Sequence, residues 1–306
     1  MPHSNPLPSK EFQILSHLHS RMTFSPVEKR NFEYLTKGLI GEQKFFNLLK
    51  QKLSTNHILL FSLLLNHNNT EFQIDSLLID HHRVYILEVK NYEGDFYIEN
   101  EKWYIKSSRK EIRNPLLQLQ RTEFLFKQLL QKLGFNFRVK SYIIFINDSF
   151  TLYQAPKNLP AVFPTQLNRF IKKLNSIPFQ PARKHTKLKK QLTAIHLEHS
   201  SNSRLPKYDY DQLKKGITCV FCYGFLSFLN DKRLICENCN RGVEIDSAVM
   251  RNVVAFKILF PERKITTGAI HEWCKIIDSK KTIRRILLKH LKLIGRGRAS
   301  HYVFPN

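Results

Sequence analysis

The sequence lacks long apolar stretches. No run of 18 apolar residues occurs, and the opening MPHSNPLPSKEF contains no apolar segment of the kind found in secretory signals. We therefore expect a soluble, non-secreted protein, cytoplasmic and without a membrane partner. Apolar residues make up 42% of the chain, which is ordinary for a globular protein and argues against wholesale disorder.

Acidic residues are scarce as well. The chain has 25 Asp and Glu against 49 Lys and Arg, a net charge of +24. The excess is denser in the second part, with 24 basic against 15 acidic residues over 1–176 and 25 against 10 over 177–306. A balance this basic favours a polyanionic partner, most often nucleic acid. Charge that serves solubility, or a patch for a membrane surface, is the alternative.

Cysteine is nearly confined to one short segment. Four of the five cysteines lie within 21 residues, with the spacing C-x2-C-x13-C-x2-C: Cys219, Cys222, Cys236 and Cys239. In a cytosolic chain this spacing indicates a metal before a disulfide, and four thiolates suit structural Zn²⁺. Residues 217–245 resemble a zinc ribbon, with a hairpin turning at Asn230-Asp231. The fifth cysteine, Cys274, is expected to be a core thiol.

Hydrophobic periodicity predicts an α/β architecture for residues 36–175. Asn114 is a predicted N-cap followed by proline at the first helical position. The predicted helices cover 36–53, 115–133 and a short segment from Thr165, and the predicted strands are 58–65, 71–79, 83–90, two near 95–98 and 102–105, 141–147 and 161–163.

Charged residues interrupt the predicted hairpin over 71–90. If its turn is centred on His81-His82, Asp75 lies opposite Glu88, and Lys90 lies on the face of Glu88 two residues further on. The flanking residues are apolar on both faces, so the ribbon is expected to be buried on both sides. Two facing acids repel and favour a divalent cation. A buried salt bridge from Lys90 to one acid is the alternative.

Two helices add polar groups that face the same core. Glu42 falls in the apolar stripe of the first helix, where it would cap Lys90 or hold a metal. Gln118 faces inward on the 115–133 helix, where it would serve the site or satisfy backbone groups.

These residues carry a resemblance. Gly41-Glu42, Ile74-Asp75, the segment LEVKN over 87–91 and N-P-x-x-Q over 114–118 resemble the motifs of NERD, the nuclease-related domain, within the broader PD-(D/E)XK superfamily. The resemblance implies a restriction-endonuclease-like core, which is a central mixed sheet flanked by helices. It implies metal-dependent cleavage of phosphodiester bonds.

In that scheme each site residue has a role. Glu42, Asp75 and Glu88 would bind Mg²⁺ or Mn²⁺, Lys90 would orient or help deprotonate a water, and Gln118 would position water or phosphate.

The C-terminal segment has three helical patterns followed by GRGRASHYVF. Ser247, then Thr266 or Thr267, then Asp278 or Ser279 are the predicted caps, and the last helix is predicted to stop at Gly295. The order resembles a winged helix, whose third helix enters the major groove. The core-facing residues would be Ile283, Ile286 and Leu287. The residues predicted to face DNA are Lys280, Lys281, Arg284, Arg285, Lys289, Arg296 and Arg298. A solvated basic face on an ordinary bundle is the alternative.

The sequence thus predicts a metal-dependent DNA nuclease with a structural zinc site. An inactive nuclease-like scaffold on DNA, or an RNA-processing nuclease, is the alternative. The predicted organisation is an uncertain segment 1–35, the nuclease-like domain 36–175, a basic linker 176–216, the zinc ribbon 217–245 and the winged-helix-like α+β module 246–306.

Overall fold

The structure is a computed structural model that describes residues 5–54, 56–176 and 179–305, with the side chain of Arg298 outside the described part. The helices are α1 (Lys10–Leu18), α2 (Pro26–Lys52), α3 (Pro115–Lys132), α4 (Leu167–Asn175), α5 (Arg183–Ala194), α6 (Ile245–Leu259), α7 (Thr267–Cys274) and α8 (Lys280–His290). The strands are β1 (Ile58–His67), β2 (Thr70–Asp80), β3 (Arg83–Lys90), β4 (Gly94–Glu99), β5 (Lys102–Ile105), β6 (Glu111–Ile112), β7 (Arg138–Phe145), β8 (Phe150–Tyr153), β9 (Ala161–Val162), β10 (Leu226–Asn230), β11 (Arg233–Cys236), β12 (Gly242–Glu244), β13 (Lys292–Ile294) and β14 (His301–Val303).

The chain divides into two compact units. The first contains residues 33–202 together with the N-terminal residues up to Ser9, and the second contains residues 10–32 and the chain from Ser203 onward. Among the described helices, none is both long and apolar enough to cross a membrane.

A five-stranded mixed sheet forms the centre of the first unit. Its order is β1-β2-β3-β7-β9, with the first three strands antiparallel and the last two parallel to β3. One face packs against α3 and α5, and the other against α2 and α4. Burial on both faces explains the nearly continuous apolar runs of β2 and β3.

The hairpin of β2 and β3 has the predicted register. Asp80 pairs with Arg83 around His81-His82, and the ladder continues to Ser76 opposite Leu87. Continuing the same register brings Asp75 opposite Glu88. The two carboxylates therefore enter the same end of the ribbon.

A second sheet has the order β6-β5-β4-β8, and its strands lie between β3 and β9 of the central sheet in the chain. Trp103 on β5 is 1% exposed and belongs to the same core cluster as the central sheet. Trp103 therefore packs in the core of the first unit.

The structure differs from the sequence prediction at two helices of this region. Helix α2 begins at Pro26, ten residues before the predicted start. The segment 176–216, predicted as a linker, contains α5, because Leu188 and Leu192 bury completely in the core of the first unit. Beyond α5, the Leu197 amide donates to the Leu64 carbonyl at 2.8 Å, so the chain stays attached to strand β1.

The second unit contains a three-stranded sheet and a helical group. Strands β10, β11 and β12 form an antiparallel sheet whose hairpin turns at residues 231–232, one residue later than predicted. Helices α6, α7 and α8 lead into the β13–β14 ribbon, and Ile265 forms a bridge to Tyr302 of β14.

The helix boundaries of this unit follow the predicted caps at two of three positions. Thr266 and Ser279 accept hydrogen bonds from the first turns of α7 and α8. Helix α6 begins at Ile245 rather than after Ser247. Helix α8 ends at His290 rather than near Gly295, because the chain then enters β13.

Candidate active site

The end of β3 carries a buried polar network. Lys90 Nζ donates to Glu88 Oε1 at 2.8 Å and to Gln118 Oε1 at 3.0 Å. Gln118 Nε2 in turn donates to Glu88 Oε1 at 2.5 Å. Glu88 is 1% and Lys90 8% exposed. The salt bridge considered from the sequence is therefore present, and it includes the glutamine of α3.

Asp75 reaches the same place from β2. Its Oδ2 accepts a hydrogen bond from the Val89 amide at 2.9 Å, between Glu88 and Lys90. The Gln73 side chain donates to Asp75 Oδ1 at 3.4 Å. These two hydrogen bonds hold the Asp75 carboxyl group beside β3, and both come from uncharged amides.

Glu42 approaches from α2 because a glycine precedes it. A Cβ added to Gly41 would lie 2.7 Å from the Asn91 Cβ, which is closer than side chains tolerate. Asn91 also donates to the Lys37 carbonyl of α2 at 2.9 Å. The residues after β3 thus hold α2 close, and Gly41 permits the approach that brings Glu42 to the site.

The pKa values of the site residues are shifted by burial and by repulsion between the carboxylates. Burial and the charge of Glu88 raise the pKa of Glu42 to about 7. The pKa of Asp75 is raised well above its usual value, first by burial and then by the negative charges of Glu88 and Glu42. Burial alone would lower the pKa of Lys90, but the charges of Glu88 and Asp75 outweigh it and raise the pKa. These shifts favour the charged form of Lys90 and the neutral forms of Glu42 and Asp75.

One oxygen of the network is available to bind a cation. Glu88 Oε2 is buried, and the described residues offer it no hydrogen-bond partner. A buried carboxylate oxygen without a partner is costly unless a cation binds it. Carboxylate oxygens are the ligands that Mg²⁺ and Mn²⁺ prefer, so Glu42, Asp75 and Glu88 form a suitable donor set. Their ligand atoms do not all lie within 4.8 Å of one another.

Sequence reasoning missed Ser62. In the register of β1 with β2, Ser62 falls opposite Asp75, between the pairs Phe61–Ser76 and Leu63–Ile74. Its φ of +49° is left-handed, a strained conformation for a residue other than glycine. Its Oγ is buried, and its interaction with the Glu42 carboxyl group lowers the pKa of that group. The available signal was that Ser62 is the one polar residue of ILLFSLLL.

The four cysteines of the second unit form a cluster that can hold a metal ion. All four Sγ atoms lie within 4.8 Å of one another, the only such group of His, Cys, Asp or Glu ligands among the described residues. Two Sγ separations are 3.7 Å for Cys219–Cys239 and 3.3 Å for Cys222–Cys236. Tetrahedral Zn–S bonds of about 2.3 Å require Sγ atoms roughly 3.8 Å apart, so the donor set fits zinc. Cys274 is fully buried elsewhere.

The basic residues predicted to face DNA form two groups. Lys280, Lys281, Arg284 and Arg296 line an open groove of about 810 Å³ near the ends of β13 and β14.

The second group faces α6. Arg285 Nη2 and Lys289 Nζ lie 3.1 and 3.0 Å from the two Asp246 carboxylate oxygens. The core-facing residues are as predicted, since Ile283, Ile286 and Leu287 are fully buried. The Arg298 side chain lies outside the described residues.

Comparison with known proteins identifies the region that contains the carboxylates. Residues 37–146 match NERD, the nuclease-related domain. The NERD region includes Glu42, Asp75, Glu88, Lys90 and Gln118, so the site lies wholly within nuclease-related sequence. No curated protein matches the chain.

Two solved structures show weak similarity. One is the small subunit of the heterodimeric restriction endonuclease R.BspD6I, at 12% identity over 60% of this chain and 86% of that chain, with a TM-score of 0.23. The other is protein VC1899 from Vibrio cholerae, at 9% identity over 51% of this chain and 36% of that chain, also with a TM-score of 0.23. Scores this low carry no argument about the fold.

Proposed function

We propose that this protein is a Mg²⁺- or Mn²⁺-dependent nuclease that hydrolyses phosphodiester bonds of DNA. The observation that carries the proposal is the unpartnered, buried Oε2 of Glu88. It lies in a NERD region whose other two carboxyl groups have raised pKa values. A salt bridge that served structure alone would give no reason to bury a carboxylate oxygen without a hydrogen-bond partner.

Three carboxyl groups would hold the cation. Glu88 supplies its free oxygen, and Asp75 supplies the oxygen that is not bonded to the Val89 amide. Glu42 supplies the third carboxylate from α2. When bound, a divalent cation lowers the pKa of a water and stabilises negative charge on the phosphate.

Lys90 acts in this proposal as a cation rather than as a base. Its raised pKa keeps the ammonium protonated at neutral pH, so it orients the attacking water or neutralises charge on the phosphate. Gln118 donates to Glu88 and accepts from Lys90. It therefore holds both side chains in position.

The second unit is proposed to bind DNA and zinc. The thiol cluster supports a structural Zn²⁺ with no open coordination position. The order α6, Ile265 bridge, α7, α8 and β13–β14 ribbon supports a winged-helix-like module. The four groove cations have no acidic partner among the described residues, whereas Arg285 and Lys289 share Asp246. We assign phosphate contacts to the groove group first.

Cleavage of supercoiled plasmid with Mg²⁺, Mn²⁺ or EDTA tests the proposal. Asp75→Asn should lower the metal-dependent rate by at least about 100-fold, the scale expected when a metal-binding group is lost. Glu99→Gln replaces an exposed acid of β4 in the same unit, so it is the matched control and should cleave normally. Equal rates in both variants would refute the site. Cleavage of RNA but not DNA would revise the substrate.

Zinc content tests the second site separately. Protein purified without chelator should contain one zinc per chain, and Cys236→Ser should contain much less. If the wild-type protein contains no zinc and unfolds at the same temperature as Cys236→Ser, the zinc ribbon is removed from the proposal.

A further inference from the structure

Helix α5 is amphipathic, and its charge is of one sign. His185, Leu188 and Leu192 are buried against the first unit. The twelve residues RKHTKLKKQLTA contain five Lys or Arg and no acid. The charges on the outer face of the helix are therefore all positive.

Three cations of this face form a stripe. Arg183, Lys187 and Lys190 lie at positions i, i+4 and i+7, which keeps them within roughly 60° around the helix. All three are exposed. Among the described residues, no carboxylate forms an ion pair with any of them. Unpaired cations at this density favour an anionic partner over mere solvation.

Neighbouring contacts hold the stripe in place. His185 bonds the His81 carbonyl at 2.9 Å, and its Nδ1 accepts from the Ala182 amide at 2.8 Å. The Lys187 ammonium lies 5.9 Å from the ring centre of Phe135. The cations are thus presented by a helix fixed at its first turn, which reduces the entropy lost on binding.

We propose that the stripe Arg183–Lys187–Lys190 binds the phosphate backbone of nucleic acid. The stripe is about 10 Å long at 1.5 Å per residue, and one DNA strand presents a phosphate about every 3.4 Å of helix axis. About three phosphates therefore match three cations. The first turn of α5 contacts His81, at the opposite end of β3 from Lys90 and roughly 20 Å away. Contacts with the stripe extend the bound segment of nucleic acid beyond the carboxylate site. Binding by the stripe does not require that the carboxylates cleave DNA.

Metal-free binding measures the stripe directly. The probe is a fluorescent duplex of about 40 base pairs in EDTA, titrated with full-length protein between about 50 and 200 mM salt. The variant is R183Q/K187Q/K190Q. The matched control, K44Q/K102Q/K127Q, removes the same charge from the same unit, but its lysines are already paired with Asp148, Glu111 and Glu123.

The expected result follows from counterion release. Each phosphate contact contributes about 0.9 to the slope of log affinity against log salt, so the stripe variant should lose about 2.7. When the salt concentration rises fourfold, the affinity of the wild type should fall by a factor about 40 times larger than the factor for the stripe variant. The control triple should keep the wild-type slope. The single variant Lys187→Gln should lose about 0.9 and serves if the triple does not fold.

Two outcomes overturn the proposal. One is an unchanged slope in the stripe variant. If that variant also no longer pellets with vesicles that contain phosphatidylserine, the stripe is a membrane surface. The other outcome is an equal loss of slope in both triple variants, which would make the effect one of total charge.

Discussion

Replacement of Glu42 by glutamine should stabilise the metal-free protein, and only at high pH. The carboxyl group of Glu42 has its pKa raised to about 7 by burial and by Glu88, against an ordinary value of 4.5. A carboxyl group with a raised pKa favours the folded state while it is protonated. That contribution is complete below the unfolded pKa and is lost as the pH rises through about 7. Glutamine keeps the shape of the protonated form and does not ionise.

The size of the effect follows from the shift. A difference of about 2.5 pKa units corresponds to about 3.4 kcal/mol of unfolding free energy at pH well above 7. About 2.5 kcal/mol of it is lost between pH 5 and pH 8, because the group is partly ionised in the unfolded chain at pH 5. At about 2–4 °C per kcal/mol, the advantage of Glu42→Gln in midpoint temperature should grow by about 5–10 °C over this range.

Thermal unfolding of the first unit in EDTA, at pH 5 and at pH 8, measures this difference. Titrating groups that Glu42 does not influence affect both proteins equally and cancel in the comparison. The pKa of Asp75, which Glu42 raises, should fall in the variant and add to its stability at pH 8. Addition of Mn²⁺ at pH 8 should raise the midpoint of the wild type and leave that of the variant nearly unchanged. A variant whose advantage is the same at both pH values would refute the argument that Glu42 is buried among like charges.

Two further substitutions test how the site and its support are built. Gly41→Ala should cost about 1–3 kcal/mol of unfolding free energy, and it should slow cleavage because its Cβ meets Asn91 at 2.7 Å. The control Gly38→Ala, on the same helix with nothing within 4 Å, should be neutral or stabilising by up to about 1 kcal/mol. Leu188→Ala should cost about 2–5 kcal/mol by chemical denaturation, whereas a segment that is only a linker would show no change.

Short-range patterns made the central hairpin predictable. The turn centred on His81-His82 sets the register of this hairpin, and that register alone brings Asp75 opposite Glu88. The two capped helices α7 and α8 were predictable for a similar reason, since Thr266 and Ser279 supply the oxygen that their own first turns need.

Contacts between distant segments were not predictable. Helix α5 resembled a linker because Leu188 and Leu192 are its only large apolar residues, and two apolar positions give a weak periodic signal. The pairing of Arg285 and Lys289 with Asp246 joins positions about 40 residues apart. The proximity of Glu42 to the β-ribbon depends on the fit of Gly41 against Asn91, which one sequence does not encode in any local pattern.

The charges of the site predict that a divalent cation displaces protons when it binds. Without a cation, the Lys90 ammonium is paired with Glu88. Glu42, with a pKa of about 7, is about half protonated at pH 7, and the raised pKa of Asp75 favours its neutral form. With a cation, three carboxylates balance one ammonium and two positive charges, so the net charge returns to zero once the protons leave. Protons should therefore be released when Mn²⁺ binds. With a pKa of about 7, Glu42 should contribute about 0.5 proton at pH 7, rising toward 1 near pH 6 and falling toward zero near pH 8.

Calorimetric titration of Mn²⁺ in buffers of different ionisation enthalpy measures this number. Release of no protons across this range would mean that the cation does not bind Asp75 and Glu42, and the third acid would then have no role in the site. Release that follows the expected values would explain why a buried site contains three acids and only one lysine. Two of the acids give up their protons in exchange for the cation, and the third is paired with Lys90.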